Sequence, residues 1–200
     1  MNPVNIAIVG CGVIATPYAK DMLAYGSLRL HGCFDLDPAR AQAYAAEQDC
    51  RVYDSLDTLL ADPEVEVVVN LTVLPAHYEV SRQALEAGKH VFSEKPLAGS
   101  SAQAQELVAL ARERNVRLSC APVTFLGEAQ QRAMKELLSG RIGPVRVIYA
   151  EANHGRIETW HPVPHSFYQV GRCATWVYIR SVWSPASLAR RRAYGPTAAP

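Results

Sequence analysis

Short apolar runs alternate with longer helical patterns from the start of the chain to about residue 121. The first run, VNIAIV at 4–9, has the character of a strand buried on both faces. The predicted strands are 4–9, 29–34, 51–53, 65–71, 90–93 and 116–121. Because strands and helices alternate, the pattern predicts an α/β fold with a parallel, doubly wound sheet.

Start and stop signals place the helices between these strands. Pro38 opens one helix, Gly88 closes another, and Ser100 with Gln103 has the spacing of a capping box. The predicted helices extend from the first strand to about residue 25 and then cover 38–48, 55–61, 76–88, 102–114 and 126–140.

A longer, partly alternating run at 145–153 (VRVIYAEAN) predicts the opening of a second, antiparallel-type sheet. We therefore expect a first domain over 1–122, the start of an incomplete second α/β domain over 123–171, and a tail over 172–200. The tail belongs to a region without acidic residues that begins after Glu158 and extends to residue 200.

Composition describes a globular chain, with 49% hydrophobic and 20% charged residues. Residues 1–100 carry 7 basic and 13 acidic side chains, whereas residues 101–200 carry 13 and 6. The basic residues of the second half are scattered as far as Arg190, so we expect no nucleic-acid partner. The remaining alternative is a nucleic-acid binder that uses the basic tail.

The five cysteines lack CxxC spacing, which favours a reducing compartment and argues against a metal site or a disulfide framework. No apolar run approaches the roughly 18 residues of a membrane span. We expect a cytoplasmic protein without a membrane partner.

A glycine-rich turn, VGCGVIA, follows the first predicted strand and opens a predicted helix. Its GxGxxA pattern in that context is typical of a dinucleotide-binding turn. Gly10 permits the tight turn, Gly12 lets the backbone approach a pyrophosphate, and Ala15 keeps the helix close to the sheet. The predicted cofactor-binding residues here are Gly10, Cys11, Gly12, Val13 and Ile14. The alternative is a glycine-rich turn without a ligand.

Asp35 ends the second predicted strand, where a carboxylate accepts hydrogen bonds from a ribose diol. A 2′-phosphate at this place would meet a repulsion of roughly 4 kcal/mol, so NAD is favoured over NADP. Leu36 and Arg40 are also predicted to bind the cofactor, and Arg40 keeps NADP open because it could reach a 2′-phosphate. The alternative for Asp35 is a solvated turn acid.

The segment NLTVLPAHY at 70–78 follows the fourth predicted strand. Ligands of open α/β sheets bind outside the carboxyl ends of the strands. Thr72, Pro75 and His77 are therefore candidates to line the nicotinamide side of the site. His77 could equally be a solvated residue at the start of a helix.

The segment SEKP at 93–96 places a carboxylate and an ammonium group at the same edge. Hydride transfer from an alcohol needs a group that takes the hydroxyl proton, and a partly buried lysine can serve. Pro96 restricts the backbone of Lys95, which helps to direct its side chain. Glu94 is predicted to contact the cofactor and Lys95 to be catalytic. The alternative is a surface ion pair without chemistry.

In this order and spacing, VGCGVIA, CFDLDPARA with Asp35, NLTVLPAHY and AGKHVFSEKPLA resemble the glucose-fructose oxidoreductase, inositol dehydrogenase and rhizopine catabolism (Gfo/Idh/MocA) family. The resemblance covers residues 4 to about 171. It implies an NAD(P)-binding Rossmann domain, a C-terminal α/β domain, and NAD(P)-linked oxidation or reduction of sugars, cyclitols or related polyols. By position, Lys95 matches the catalytic lysine of the family.

The resemblance also implies a homo-oligomer that pairs through the sheet of the second domain. His154, His161 and His165 lie in the segment that resembles this domain. Each could touch the substrate, and the alternative is that they are ordinary polar loop residues.

The family's Asp-x-Gly-x-His/Tyr motif is expected next and is not found. We hypothesise that residues from about Arg172 come from a shifted reading frame, since Trp176-Val177 forces a glycine codon in that frame. A truncated member of the family is then expected to bind dinucleotide weakly and to turn over poorly or not at all. The alternative function is a non-catalytic dinucleotide-binding module or redox sensor.

Overall fold

The structure, a computed structural model, describes residues 2–121 and 127–144, together with residues 146 and 159. Strands and helices alternate along the described residues. The strands are β1 Val4–Val9, β2 Leu28–Phe34, β3 Arg51–Val52, β4 Val67–Asn70, β5 His90–Ser93 and β6 Leu118–Cys120. The helices are α1 Ala15–Leu23, α2 Pro38–Gln48, α3 Leu56–Ala61, α4 Leu74–Glu86, α5 Ser101–Glu113 and α6 Glu128–Leu138.

The six strands form one parallel sheet with the order β3-β2-β1-β4-β5-β6. The order reverses between β1 and β4, which lie side by side although five elements of the chain separate them. This is the doubly wound Rossmann arrangement, and the predicted fold class is confirmed for these residues. Ligands of such sheets bind at this switch point, beyond the carboxyl ends of the strands.

Both faces of the sheet are buried, as the continuously apolar strands predict. On one face Ala7 and Val9 belong to a core with Leu85 of α4 and Leu107 of α5. On the other face Ile6 and Ile8 of the same strand belong to a core formed with α1 and α2, which contains Ala15, Ala19, Tyr44 and Ala45. The period of two along β1 thus supplies both layers of helices with apolar contacts.

Local capping fixes several helix ends where the sequence predicts them. Asp37 accepts hydrogen bonds from the Ala39 and Arg40 N–H groups, and Pro38 starts α2. Gly88, at φ +75°, follows α4, and Gly140, at φ +78°, follows α6. At α5 the Ser100 hydroxyl accepts from the Gln103 N–H at 3.3 Å. A reciprocal capping box forms instead at Ser55 and Thr58.

Some predicted boundaries differ from the observed ones. The strand predicted at 65–71 is shorter, Val67–Asn70, because Thr72 and the backbone beyond it turn into α4. That helix begins at Leu74 rather than at residue 76, with Pro75 in its first turn. The sixth strand is limited to Leu118–Cys120.

The chain divides into two compact units, Met1–Ala121 and Pro122–Pro200. The first contains the whole sheet, and the second contains α6. The strand predicted at 145–153, the three histidines at 154, 161 and 165, and the tail over 172–200 lie outside the described residues. Within the described residues, none of the helices is both long and apolar enough to cross a membrane.

Candidate functional site

Four connections that carry the predicted chemistry follow β1, β2, β4 and β5, so they lie at the carboxyl edge of the sheet. Three of these strands are neighbours, in the order β2-β1-β4, and β5 lies beside β4. The candidate residues, which are far apart in sequence, are thereby brought to one edge at the switch point.

The turn after β1 needs glycine at its first position. Gly10 has φ +96°, and a Cβ there would lie 2.9 Å from the carbonyl carbon and oxygen of Leu71 and from the Thr72 nitrogen. The Gly10 N–H donates to the Phe34 carbonyl oxygen at 2.8 Å. Gly10 therefore lets the end of β1 pass directly against the chain that leaves β4.

Gly12 has a different surrounding. A Cβ at Gly12 would meet no atom within 4 Å, and the residue is exposed. Next to it α1 begins at Ala15, which is fully buried, and no side chain caps the N–H groups of its first turn. In this first turn the Ala15 N–H already donates to the Gly12 carbonyl oxygen at 2.9 Å, and Pro17 has no N–H. The exposed backbone of residues 12–14 and the Thr16 N–H therefore form the cradle that a diphosphate fits.

The other residues of this turn divide into one inward and two outward side chains. Cys11 is buried and its N–H donates to the Asp35 Oδ2 at 2.8 Å, so this N–H is already occupied within the protein. Val13 and Ile14 are exposed at the surface of the cradle. A ligand in the cradle would meet these two side chains and the backbone of Gly12.

Asp35 is an ordered and largely buried acid, which contradicts the alternative of a solvated turn residue. Its side chain is 7% exposed. Besides the Cys11 N–H, it accepts from the Asp37 N–H at 2.9 Å and from the Arg40 Nη1 at 3.1 and 3.3 Å. The carboxylate thus ties the turn after β1 to the turn after β2.

Arg40 covers this carboxylate from the solvent side. Its guanidinium also contacts the Asp37 Oδ2 at 3.3 Å, and its side chain is 52% exposed. Leu36, between the two acids, is 90% exposed. A half-exposed cation and an exposed apolar side chain beside Asp35 are suited to a ribose and an adenine ring.

The turn after β4 is organised by Asn70, a residue that the sequence reasoning missed. Asn70 is fully buried and its amide donates to the His77 carbonyl and to the Ser81 hydroxyl, both at 3.0 Å. Its Oδ1 accepts from the Thr72 hydroxyl at 2.6 Å and from the Thr72 N–H at 3.3 Å. The one available signal was a polar residue at the end of an apolar strand.

His77 is buried, at 2% exposure, which contradicts the alternative of a solvated residue. Its Nδ1 lies 2.6 Å from the Pro96 carbonyl oxygen and its Nε2 lies 2.9 Å from the Thr72 carbonyl oxygen. The imidazole therefore connects the turn after β4 to the loop after β5. Around it, Pro75 and Val73 are exposed and Thr72 is half-buried.

The loop after β5 carries Glu94 and Lys95, and its Lys95–Pro96 peptide bond is cis. The Glu94 Oε1 accepts from the Tyr18 hydroxyl at 2.6 Å, and its Oε2 accepts from the Lys95 N–H at 2.9 Å. None of the ion pairs in the described part of the chain includes Lys95, whose side chain is half-buried. The alternative of a Glu94–Lys95 surface ion pair is therefore wrong.

Tyr18 is the second residue that the sequence reasoning missed. It lies on α1, its ring is tilted against Phe92 at 5.9 Å between centroids, and its hydroxyl reaches across to Glu94. Burial first, and then the hydrogen bond to the Glu94 carboxylate, raise the pKa of Tyr18 above its ordinary value. The hydroxyl thus stays a donor at neutral pH.

Comparison with known proteins gives a family for this architecture. A model of the Gfo/Idh/MocA family, described as an oxidoreductase family with an NAD-binding Rossmann fold, matches residues 4–121. UDP-N-acetylglucosamine 3-dehydrogenase of Acidithiobacillus ferrooxidans is 31% identical over 153 residues, which are 73% of this chain and 48% of that protein.

Two solved structures show the same fold with cofactors. GenD2 from gentamicin A biosynthesis, in complex with NAD, has a TM-score of 0.67 at 29% identity and covers 70% of this chain and 40% of its own. KijD10, a 3-ketoreductase from Actinomadura kijaniata in complex with NADP and TDP-benzene, has a TM-score of 0.63 at 29% identity and covers 70% and 43%. The chain spans less than half the length of the curated relatives that it matches.

Proposed function

Because this chain belongs to the Gfo/Idh/MocA oxidoreductase family with an NAD-binding Rossmann fold, we propose that it binds a nicotinamide dinucleotide at the carboxyl edge of its sheet. In the whole protein, hydride then passes between that cofactor and a sugar, cyclitol or related polyol. The observation that carries the proposal is the bond from the Cys11 N–H to the buried Asp35 carboxylate. This bond places a ribose-binding acid directly beside an open phosphate cradle.

Different residues bind the diphosphate, the adenosine and the nicotinamide parts of the cofactor. The backbone of Gly12, Val13 and Ile14 and the first turn of α1 hold the diphosphate, with Gly10 forming the turn. Asp35 and Leu36 hold the adenosine ribose and the adenine. Thr72 and Pro75 line the nicotinamide side, where Glu94 and His77 fix the loops that surround it.

The proposed cofactor preference is NAD over NADP. A 2′-phosphate beside Asp35 experiences a like-charge repulsion of roughly 4 kcal/mol at 4 Å and an effective dielectric constant of about 20. Arg40 reduces this repulsion, because its Nη1 already contacts both carboxylate oxygens. We therefore expect NADP to bind more weakly than NAD rather than to be excluded.

Lys95 is the proposed catalytic residue. Its side chain is half-buried on the loop after β5, and no carboxylate of the described residues pairs with it. A lysine that no carboxylate of the described residues pairs with can take the hydroxyl proton as the neutral amine when the alcohol is oxidised, and return it as the ammonium when the carbonyl is reduced. When bound, the nicotinamide ring supplies the hydride chemistry.

The substrate class follows from the relatives rather than from this chain. UDP-N-acetylglucosamine 3-dehydrogenase is named for a sugar nucleotide, and KijD10 was solved with a TDP-linked ligand. Both names fit oxidation or reduction at a secondary carbon of a sugar ring. We extend this class of substrate to the present protein as part of the proposal.

The proposal is tested with Lys95→Met, a variant of similar length without charge. NADH affinity, measured by fluorescence, is expected to stay within about threefold of the wild type, because the phosphate cradle is intact. In the whole protein, interconversion of NAD and NADH with a panel of sugars and cyclitols is expected to fall at least about 100-fold in the variant. Equal turnover in the variant would remove Lys95 from the mechanism, and loss of NADH binding would show that its role is structural.

The four cysteines among the described residues are free, and they do not favour a redox sensor. A hydrogen bond with Cys11 raises the pKa of Cys33 to about 12. Burial raises the pKa of Cys120 to about 12 as well. Since the thiolate is the reactive form, both thiols are poor sites of oxidation at neutral pH.

A further inference from the structure

One carboxylate joins the helix at the phosphate cradle to the backbone of the candidate catalytic lysine. Glu94 accepts from the Tyr18 hydroxyl of α1 through Oε1 and from the Lys95 N–H through Oε2, at 2.6 and 2.9 Å. Each oxygen thus has its own donor. Residues 76 positions apart in sequence meet at this carboxylate.

The position of the Tyr18 hydroxyl is fixed by packing. The ring of Tyr18 is tilted against Phe92, which lies on β5 two residues before Glu94. The Tyr18 N–H donates to the Ile14 carbonyl at 3.3 Å, so the residue belongs to the first turn of α1. The Glu94 N–H in turn donates to the Asn70 carbonyl at 2.9 Å, which anchors the other end of the contact to β4.

These hydrogen bonds connect the first turn of α1 to the Lys95 loop, two parts of the site with different proposed roles. The first turn of α1 faces the proposed diphosphate, while the Lys95 loop faces the proposed nicotinamide side. A displacement of either part would be resisted through the bonds from Tyr18 to Glu94 and from Lys95 to Glu94. Charge-assisted hydrogen bonds of this kind are short and directional.

We propose that Tyr18 is a positioning residue for the catalytic loop: acting through Glu94, it fixes the Lys95 backbone relative to the phosphate-binding helix. The inference rests on the proposed function, because it assumes that the dinucleotide occupies this edge. Tyr18 itself has no contact with the substrate in this account. Loss of the Tyr18 hydroxyl should therefore weaken binding of the nicotinamide half of the dinucleotide, which lies beside the Lys95 loop, and not of the ADP-ribose half.

The test uses the full chain and two ligands. ADP-ribose contains the adenosine and the diphosphate, whereas NADH adds the nicotinamide ring. In Tyr18→Phe, which keeps the ring against Phe92, ADP-ribose affinity is expected to stay within about twofold, and NADH affinity to fall about fivefold. Amide hydrogen exchange at Lys95 is expected to become about tenfold faster, because Glu94 has lost its anchor.

Tyr53→Phe is the matched control. The Tyr53 hydroxyl donates to the Asp62 carboxylate at 2.7 Å, and the residue is buried, but neither partner belongs to the proposed site. This variant is expected to leave both affinities and the Lys95 exchange rate unchanged. Equal behaviour of the two variants would overturn the inference and leave the proposed function intact.

Glu94→Gln gives a second route if Tyr18→Phe does not fold. A glutamine side chain presents an amide group to one of the two donors, so it cannot accept from Tyr18 and Lys95 together. It should reproduce the selective loss of NADH affinity, and in the double variant the two losses should not add. Additive losses would overturn the inference, and failure of the wild type to bind either ligand would overturn the proposed function as well.

Discussion

The two sides of the candidate site are built in different ways. On the diphosphate side the backbone makes the cradle: Gly10 lies directly against the chain that leaves β4, and the surroundings of Gly12 are open. On the nicotinamide side the loops are held by polar side chains: the buried His77 lies between two carbonyl groups, and the half-buried Glu94 lies between two donors. The glycines of a backbone turn can be recognised in the sequence, whereas the partners of His77 and Glu94 cannot, because only the fold brings them together.

The largest expected effect comes from adding a Cβ to the glycines of the turn, which have different surroundings. Gly10→Ala is expected to destabilise the first unit by about 3 kcal/mol or more, since φ +96° is strained for alanine and the new Cβ meets backbone on the chain leaving β4. Urea denaturation followed by circular dichroism measures the loss.

Gly12→Ala is the matched control for stability, because its Cβ would enter open space. Its unfolding free energy is expected to stay within about 0.5 kcal/mol of the wild type. Its NADH affinity should nevertheless fall at least about tenfold, because the methyl group occupies the cradle. Similar stability losses at both positions would contradict the division between a structural and a ligand-facing glycine.

The next largest effect is expected at His77. In His77→Phe the ring contacts to the carbonyl oxygens of Thr72 and Pro96 are lost while the apolar packing is retained, which should cost about 2–3 kcal/mol of unfolding free energy. Tyr78→Phe, one residue along, removes only an exposed bond to Glu106 and should cost less than about 0.5 kcal/mol. If the two variants had the same urea midpoint, side-chain anchoring would not hold the nicotinamide side.

The smallest expected effect concerns Arg40 and the choice of cofactor. Arg40→Ala leaves the Asp35 charge uncovered, so the ratio of NADPH to NADH dissociation constants should rise, by no more than about fivefold because the guanidinium is half exposed. Arg51→Ala removes a comparable ion pair to Asp62 and should leave the ratio unchanged. A fall in the ratio on loss of Arg40 would show that this residue does not assist NADP.

The difference between the two sides of the site also explains which features could be predicted from the sequence. The parallel sheet was predictable because apolar strands alternate with helical patterns along the chain. The GxGxxA turn and the place of Asp35 at the end of β2 were predictable because they form a local pattern within the first 35 residues. Tyr18, Asn70 and the bond from His77 to Pro96 were not, since each depends on a partner that only the folded sheet brings near. Asp35 was expected only to bind a ribose, yet its carboxylate also accepts a hydrogen bond from the Cys11 N–H and so holds the glycine turn in place.

Dinucleotide binding at the carboxyl edge of the sheet is tested by titrating the folded full chain with NADH and following the fluorescence. We expect a saturable change in fluorescence with one site per chain. ADP-ribose should displace the bound NADH, and Gly12→Ala should weaken its binding. An unchanged signal up to millimolar NADH, in a sample whose circular dichroism shows the α/β fold, would contradict this expectation.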